Sequence, residues 1–167
     1  MVSLRQIQAA QTDPRADDPG ANTIEYLCLN NLNLYDDSTL QRLATQAVAG
    51  RQLRVVEALN PQAIQVQLCE DDYPGWLAVE DLDLLKQAET AYSAPTISPT
   101  EIQKCLPQVI AYCHLAMQQP NSYLWGGTVG PNYDCSGLMQ AGFMASGIWL
   151  PRDAYQQEAF VEPLALE

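Results

Sequence analysis

The sequence predicts an α+β protein in which a small β-barrel precedes a helical segment. From residue 23 to residue 92, short runs alternate apolar and polar residues and are separated by turn signals such as Asn60-Pro61, a pattern typical of strands joined by tight turns. After Ser98 the apolar residues recur at helical spacing instead. Strands and turns of this total length favour a small barrel over a sandwich.

Six strands are predicted in the first part of the chain. The clearest alternation places Ile64, Val66 and Leu68 on one face of a strand, with Gln65 and Gln67 on the other. The candidate strands are residues 25–30, 31–37, 41–48, 51–59, 63–70 and 75–82.

Two helices are predicted in the second part. Ser98 is a suitable N-cap, followed by a proline at N1 and by Glu101 at N3, which together are typical of a helix start. Pro107 interrupts the apolar pattern that follows and favours a kink. A second helix is expected to begin at or beside Cys135 and to stop near Gly147.

These elements divide the 167 residues into four predicted parts. Residues 1–22 are polar, contain Asp-Pro and Pro-Gly, and are interpreted as an arm or mobile lead-in. Residues 23–92 form the barrel, residues 93–97 a linker and residues 98–167 a second domain.

Composition excludes several classes of partner. The net charge of −12 and pI of about 4.2 argue against nucleic acid and against an anionic membrane surface. No window approaches the roughly 18 apolar residues of a membrane span, and the N-terminus does not resemble a signal peptide. The five cysteines lack framework spacing, so reduced thiols and a cytoplasmic location are expected.

Cys135 is the candidate nucleophile. Asp134 is a good N-cap residue, which places the cysteine in the first turn of a helix, where the positive helix end favours a thiolate. Ser136 and Gly137 are small and let a substrate backbone approach, and residues 125–130 form a glycine-containing loop before them. The alternative interpretation is a small buried hydrophobe at a helix start.

Three sequence blocks carry a resemblance to a known family. They are Tyr-Leu-Trp-Gly-Gly at 123–127, Asp-Cys-Ser-Gly-Leu at 134–138 and Leu-Pro-Arg-Asp at 150–153. In this order and spacing they resemble the NlpC-type family of cell-wall cysteine peptidases. Residues 98–160 resemble the first half of its catalytic domain, and residues 23–92 resemble the bacterial SH3-like barrel that often precedes it.

The resemblance implies a papain-like α+β catalytic core with Cys135 as the nucleophile. It implies a murein (peptidoglycan) peptide with a free N-terminal L-Ala as substrate, cleaved at the γ-D-glutamyl-L-diamino-acid bond. Tyr123 is expected to line the site, Tyr73 and Asp134 to hold the substrate amine, and Ser136 to lie against the substrate. No cofactor and no metal are expected.

Two neighbouring features are open at this point. The acidic loop at residues 70–72, beside Tyr73, would suit a wall that binds the amine, and a solvated acidic turn is the alternative. Arg152 and Asp153 match a block beside the family's substrate cleft, and the resemblance assigns them no role.

The chain departs from the family at the catalytic base, which is a histidine after the cysteine helix. The one histidine here, His114, precedes the cysteine and lies in a predicted helix, where a surface role is expected. Without a base the 167-residue chain is expected to be inactive, since losing acid–base assistance typically costs about 10²–10⁴-fold. The alternative is a non-catalytic module that binds cell-wall peptides. The half-domain is also expected to expose apolar surface.

Overall fold

The computed structural model describes residues 2–11 and 24–162. The chain divides into two compact units, Met1–Ser93 and Ala94–Glu167. The first contains all the strands described and the second contains helices, so the predicted α+β class is confirmed. None of the helices described is long and apolar enough to cross a membrane.

The first unit is one antiparallel sheet of seven strands. Its strand order is β3-β2-β6-β5-β4-β1-β7. A single core of buried side chains includes Ala47 from one edge strand and Leu85 from the other, so the sheet curls around that core. The strands are β1 (Glu25–Cys28), β2 (Leu32–Tyr35), β3 (Leu43–Ala47), β4 (Gln52–Glu57), β5 (Ala63–Leu68), β6 (Pro74–Ala78) and β7 (Leu85–Gln87).

Strand β5 shows why the sequence folds this way. Ile64, Val66 and Leu68 are fully buried, whereas Gln65 and Gln67 are half-buried on the other face, as the alternation predicts. Because a slip of one residue would turn the apolar set outward, burial fixes the register of this strand against its neighbours.

Three segments of the first unit differ from their predictions. The strand predicted at 75–82 ends at Ala78, and Val79–Leu84 form a 3₁₀ helix in which Leu82 is buried. Leu85–Gln87, outside the six predicted strands, form β7. The predicted arm is wrong for Leu4–Gln11, which form helix α1 with Ile7 buried in the barrel core. This packing is tertiary, and too few apolar residues surround Ile7 to indicate it. The rest of the predicted arm, residues 12–22, lies outside the described residues.

The acidic loop is neither a solvated turn nor an open wall. Arg51 Nε donates to Glu70 Oε2 at 3.1 Å and its Nη2 donates to Asp71 Oδ1 at 2.7 Å, with all three side chains no more than 3% exposed. Asp72, which is mostly exposed, pairs with Arg54. Burial of unpaired carboxylates is costly, so the arginine explains why two of them tolerate this position.

The second unit contains helices α2 (Pro99–Gln118), α3 (Cys135–Met144) and α4 (Ala154–Phe160). The predicted capping box is present, with Glu101 N donating to Ser98 Oγ and Ser98 N donating to Glu101 Oε2. Pro107 lies inside α2 without ending it. The segment after α3 turns at Gly147, whose φ of +77° favours glycine.

Helix α2 packs on α3 at Gly142 and leaves much of its apolar surface uncovered. A Cβ at Gly142 would lie 3.3 Å from Cys113 Sγ and 3.4 Å from Val109 Cγ1, which shows how closely the two helices approach. The exposed apolar side chains of α2 are Leu106, Ile110, Leu115 and Met117.

Candidate active site

Cys135 is the first residue of α3 and its side chain is exposed. Asp134 is the N-cap, and its Oδ1 accepts the Gly137 amide at 2.7 Å. The first-turn position predicted for Cys135 is therefore the observed one, and the buried alternative does not apply. A sulfur at this helix end lies where backbone amides stabilise negative charge.

The glycine loop before Cys135 lies directly against the first turn of α3. Asp134 N donates to Gly127 O at 3.1 Å, and Gly126 N donates to Asp134 Oδ2 at 2.9 Å. A Cβ at Gly137 would lie 2.0 Å from Gly127 O, and Gly126 has a φ of +79°. Both positions therefore require glycine.

Arg152 completes the set of donors around Asp134. Its Nη2 donates to Asp134 Oδ2 at 2.6 Å, and its Nη1 donates to Asp134 Oδ1 at 3.2 Å and to Ser136 Oγ at 3.0 Å. The Arg152 side chain is 2% exposed and that of Asp134 is 9% exposed. The carboxylate thus has a buried counter-ion supplied by this chain.

The environment of Asp134 favours its ionised form. Burial alone would raise the pKa of Asp134, but hydrogen bonds from Arg152, Gly137 and Gly126 and the charge of Arg152 outweigh burial, so the net pKa is lowered. Ser136 Oγ also approaches Asp134 Oδ1 at 3.3 Å. A carboxylate offers about four lone-pair positions, and these donors fill them. A substrate amine at Asp134 would have to displace one.

An open groove of about 250 Å³ lies beside Cys135. Its apolar wall includes Met117 of α2 and Leu138 of α3, and Tyr123 contributes an exposed phenol. Partial desolvation, followed by the negative charges of Cys135 and Asp134, raises the pKa of Tyr123, so its hydroxyl is protonated at neutral pH. The groove is lined by Ala116, Met117, Asn121, Ser122, Tyr123, Pro131, Tyr133, Asp134, Cys135 and Leu138.

A tyrosine pair ties the loop before Cys135 to α2. The hydroxyls of Tyr112 and Tyr133 lie 2.8 Å apart. Burial, followed by the hydrogen bond to Tyr112, raises the pKa of Tyr133. Because the Tyr133 phenol stays protonated in the neutral range, it keeps its hydrogen for the bond between the two hydroxyls.

Cys135 is the most accessible of the five thiols. Cys28 and Cys69 are buried, and burial, with nearby charges, raises the pKa of each to about 12. Cys113 is half-buried, and desolvation raises its pKa. Cys105 is half-buried on α2.

The structure brings together most of the predicted site residues. Cys135, Asp134 and Tyr123 line the groove, whereas Ser136 is buried beneath it against Arg152. Tyr73 belongs to the other unit, where it packs on the barrel core, and its contact with substrate stays a prediction.

His114 and Arg152 lie outside the predicted set of site residues. His114 is exposed on α2, as the sequence predicts, and does not line the groove. Arg152, left without a role by the sequence, contacts both neighbours of Cys135. The one signal in the sequence was that Arg152 directly follows the apolar residues 148–151, a setting in which a buried arginine needs a carboxylate partner.

Comparison with known proteins finds similarity in both parts of the chain. Residues 34–82 match the bacterial dipeptidyl-peptidase SH3 domain, and residues 120–164 match the NlpC/P60 family. A stretch of 35 residues is 54% identical to the γ-D-glutamyl-L-lysine dipeptidyl-peptidase of Bacillus subtilis (strain 168), covering 21% of this chain and 12% of that protein.

Two solved structures are also similar. NlpC2 from Trichomonas vaginalis is 17% identical with a TM-score of 0.32, over 80% of this chain and 45% of that one. An NlpC/P60 family protein from Bacillus cereus ATCC 10987 is 18% identical with a TM-score of 0.30, over 87% of this chain and 43% of that one. The chain thus spans less than half the length of these relatives.

Proposed function

Because residues 120–164 match the NlpC/P60 family and residues 34–82 match a bacterial SH3 domain, we propose that the chain carries the nucleophile-bearing part of a cysteine peptidase. The substrate is a murein peptide with a free N-terminal L-Ala, and the bond cleaved joins γ-D-glutamate to an L-diamino acid. The observation that carries the proposal is the exposed sulfur of Cys135, at the start of α3 and on the wall of a groove.

The proposed reaction proceeds through a thioester. The Cys135 thiolate attacks the γ-carbonyl carbon of D-glutamate, and the bond from that carbon to the diamino-acid nitrogen breaks. The leaving nitrogen takes a proton, and water then hydrolyses the thioester. Tyr123 lines the groove, and its role in the proposal is to contact the bound peptide. Asp134 and Ser136 support the first turn of α3.

Proton transfer is the step for which these residues supply no group. His114, the one histidine in the 167 residues, is exposed on α2 and does not line the groove. We therefore propose that the chain needs an added imidazole for turnover. The same observation favours a second candidate function, a module that binds murein peptides without cleaving them.

The test is to incubate the chain with L-Ala-γ-D-Glu-L-Lys, with and without imidazole, and to follow lysine release by mass spectrometry. Release that requires both imidazole and Cys135 is expected, with Cys135→Ala as the control. Release that persists in Cys135→Ala would exclude this mechanism. Tight peptide binding with no release under either condition would instead support the binding module.

A further inference from the structure

Arg152 approaches Cys135 from outside the helix that carries it. It lies in the segment between α3 and α4, and its guanidinium donates to the side chains immediately before and after the cysteine, Asp134 and Ser136. The side chain is 2% exposed. The buried guanidinium of Arg152 therefore holds the side chains of both residues adjacent to Cys135.

The backbone that presents Arg152 is itself held against α3. Gln157 Nε2 donates to Ser136 O at 3.0 Å and to Pro151 O at 2.9 Å. Gln140 Nε2 donates to Leu150 O at 2.8 Å, and the Gln140 side chain is buried. Each glutamine therefore fixes one of the two residues that lead into Arg152, and the backbone at Arg152 is held in place by these bonds.

The charge of Arg152 matters as much as its position. Asp134 is adjacent to Cys135 in the chain, and an uncompensated carboxylate there would disfavour a thiolate. In the described residues, the titratable groups that line the groove or contact Asp134 are Tyr123, Tyr133, Arg152 and Cys135 itself. Both tyrosines are neutral in the neutral pH range because their pKa values are raised. Arg152 is therefore the cation that offsets the carboxylate.

We propose that Arg152 is a positioning residue for the Cys135 nucleophile. It holds the side chains of Asp134 and Ser136 and offsets the negative charge of the Asp134 carboxylate. That carboxylate then no longer opposes a negative charge on the Cys135 sulfur. This inference rests on the proposed function in taking Cys135 as the nucleophile, and it gives Arg152 a role that acts through Asp134 rather than on the substrate.

The experiment measures how fast iodoacetamide alkylates Cys135 in the 167-residue chain as a function of pH, with peptide mapping by mass spectrometry. Arg152→Met leaves Asp134 uncompensated. We expect alkylation at neutral pH to slow about tenfold and the rate profile to move to higher pH, because a like charge beside a thiol disfavours its thiolate form. Arg152→Lys, which keeps the charge but loses the planar fork, is expected to lie between the two.

Two further variants separate electrostatics from folding. Arg152→Met combined with Asp134→Asn removes both charges and is expected to recover a rate within about threefold of the original, since no net charge change remains. Ser98→Ala removes the capping bond of α2, a bond that involves neither Asp134 nor the segment that carries Arg152. It is expected to lower the unfolding midpoint without moving the pH profile.

Three results would overturn the inference. One is an Arg152→Met profile that matches the original at every pH. Another is a double variant as slow as the single one, and the third is a Ser98→Ala profile shifted as far as that of Arg152→Met. Because alkylation needs no turnover, these results leave the peptidase proposal standing, and a chain that fails to hydrolyse peptide leaves this inference standing.

Discussion

Gly137 gives the sharpest stability test of the site, because it lies where the glycine loop meets α3. A methyl group at this position would lie 2.0 Å from Gly127 O and 2.9 Å from Asp134 Oδ1. Carbon–oxygen contacts need well over 3 Å, so Gly137→Ala must push the loop outward by more than 1 Å. The hydrogen bonds from Asp134 N to Gly127 O and from Gly126 N to Asp134 Oδ2 would then be lost.

The expected cost follows from these contacts. Overpacking costs about 1–3 kcal/mol, and two lost hydrogen bonds add about 1 kcal/mol each. Replacing glycine by alanine within a helix returns about 1 kcal/mol. The net loss for Gly137→Ala is thus about 2–4 kcal/mol in the free energy of unfolding of the second unit.

The matched control is Gly142→Ala in the same helix. Its Cβ would meet Cys113 Sγ at 3.3 Å and Val109 Cγ1 at 3.4 Å, contacts that are tight but tolerable. It gains the same helix propensity, so its effect is expected to be within about 1 kcal/mol of zero.

The assay is urea unfolding followed by tryptophan fluorescence. A Trp76→Phe background removes the tryptophan of the first unit and leaves Trp125 and Trp149 to report on the second. If the free energy of unfolding falls by about 1 kcal/mol per molar urea, Gly137→Ala should lower the urea midpoint of unfolding by about 2 M or more, or abolish the transition. Equal midpoints for the Gly137 and Gly142 variants would refute the close contact between loop and helix.

Three further outcomes are expected. At neutral pH, iodoacetamide should alkylate Cys135 well before Cys28 and Cys69, whose pKa values of about 12 keep them protonated until strongly alkaline pH. The second unit should lose stability in acid, because the pKa of Asp134 is lower in the folded chain than in the unfolded chain. The stability that ionised Asp134 contributes is complete above the unfolded pKa of about 3.9 and is lost as pH falls through the folded pKa. Arg51→Met should destabilise the barrel by about 3–5 kcal/mol, measured by Trp76 fluorescence in urea, because two buried carboxylates lose their partner.

A different result would contradict each of these three expectations. Simultaneous alkylation of all five cysteines at neutral pH would mean that the barrel opens readily. An acid transition unchanged by Asp134→Asn would assign the pH dependence to other carboxylates. For the barrel, the control is Arg42→Met, because Arg42 is 75% exposed and its surface pair with Asp36 is expected to contribute about 0–1 kcal/mol. A cost for Arg51→Met no larger than that of the control would contradict the buried pairing.

Features that depend on a few consecutive residues could be predicted from the sequence. The alternation in β5 and the capping box of α2 were both identified in this way, and the structure confirms them. Val79–Leu84 shows the limit of the method. Asp81 and Asp83 alternate there with Leu82 and Leu84 as in an edge element, but the chain forms a 3₁₀ helix that buries Leu82. Alternation records which residues face inward and is compatible with more than one backbone.

Features that join distant residues could not be predicted. Arg51 and Glu70 are 19 positions apart, and Asp134 and Arg152 are 18 positions apart. In each case the sequence showed a charged residue without its partner, since pairing depends on where the fold brings the two segments together. The interpretation of residues 70–72 as a wall or a solvated turn failed for this reason: Arg51 was not part of the local pattern.

The site residues that hold Cys135 all lie inside the segment that matches the NlpC/P60 family. The glycine loop, the N-cap, Arg152 and Gln157 fall within residues 120–164. The histidine is outside it and away from the groove. The residues that hold Cys135 are therefore present in this chain, whereas none of the described residues on the groove is a histidine. This separation predicts that the reactivity of Cys135 toward a small electrophile is already present in this chain, whereas release of an amine, which needs a proton, is not.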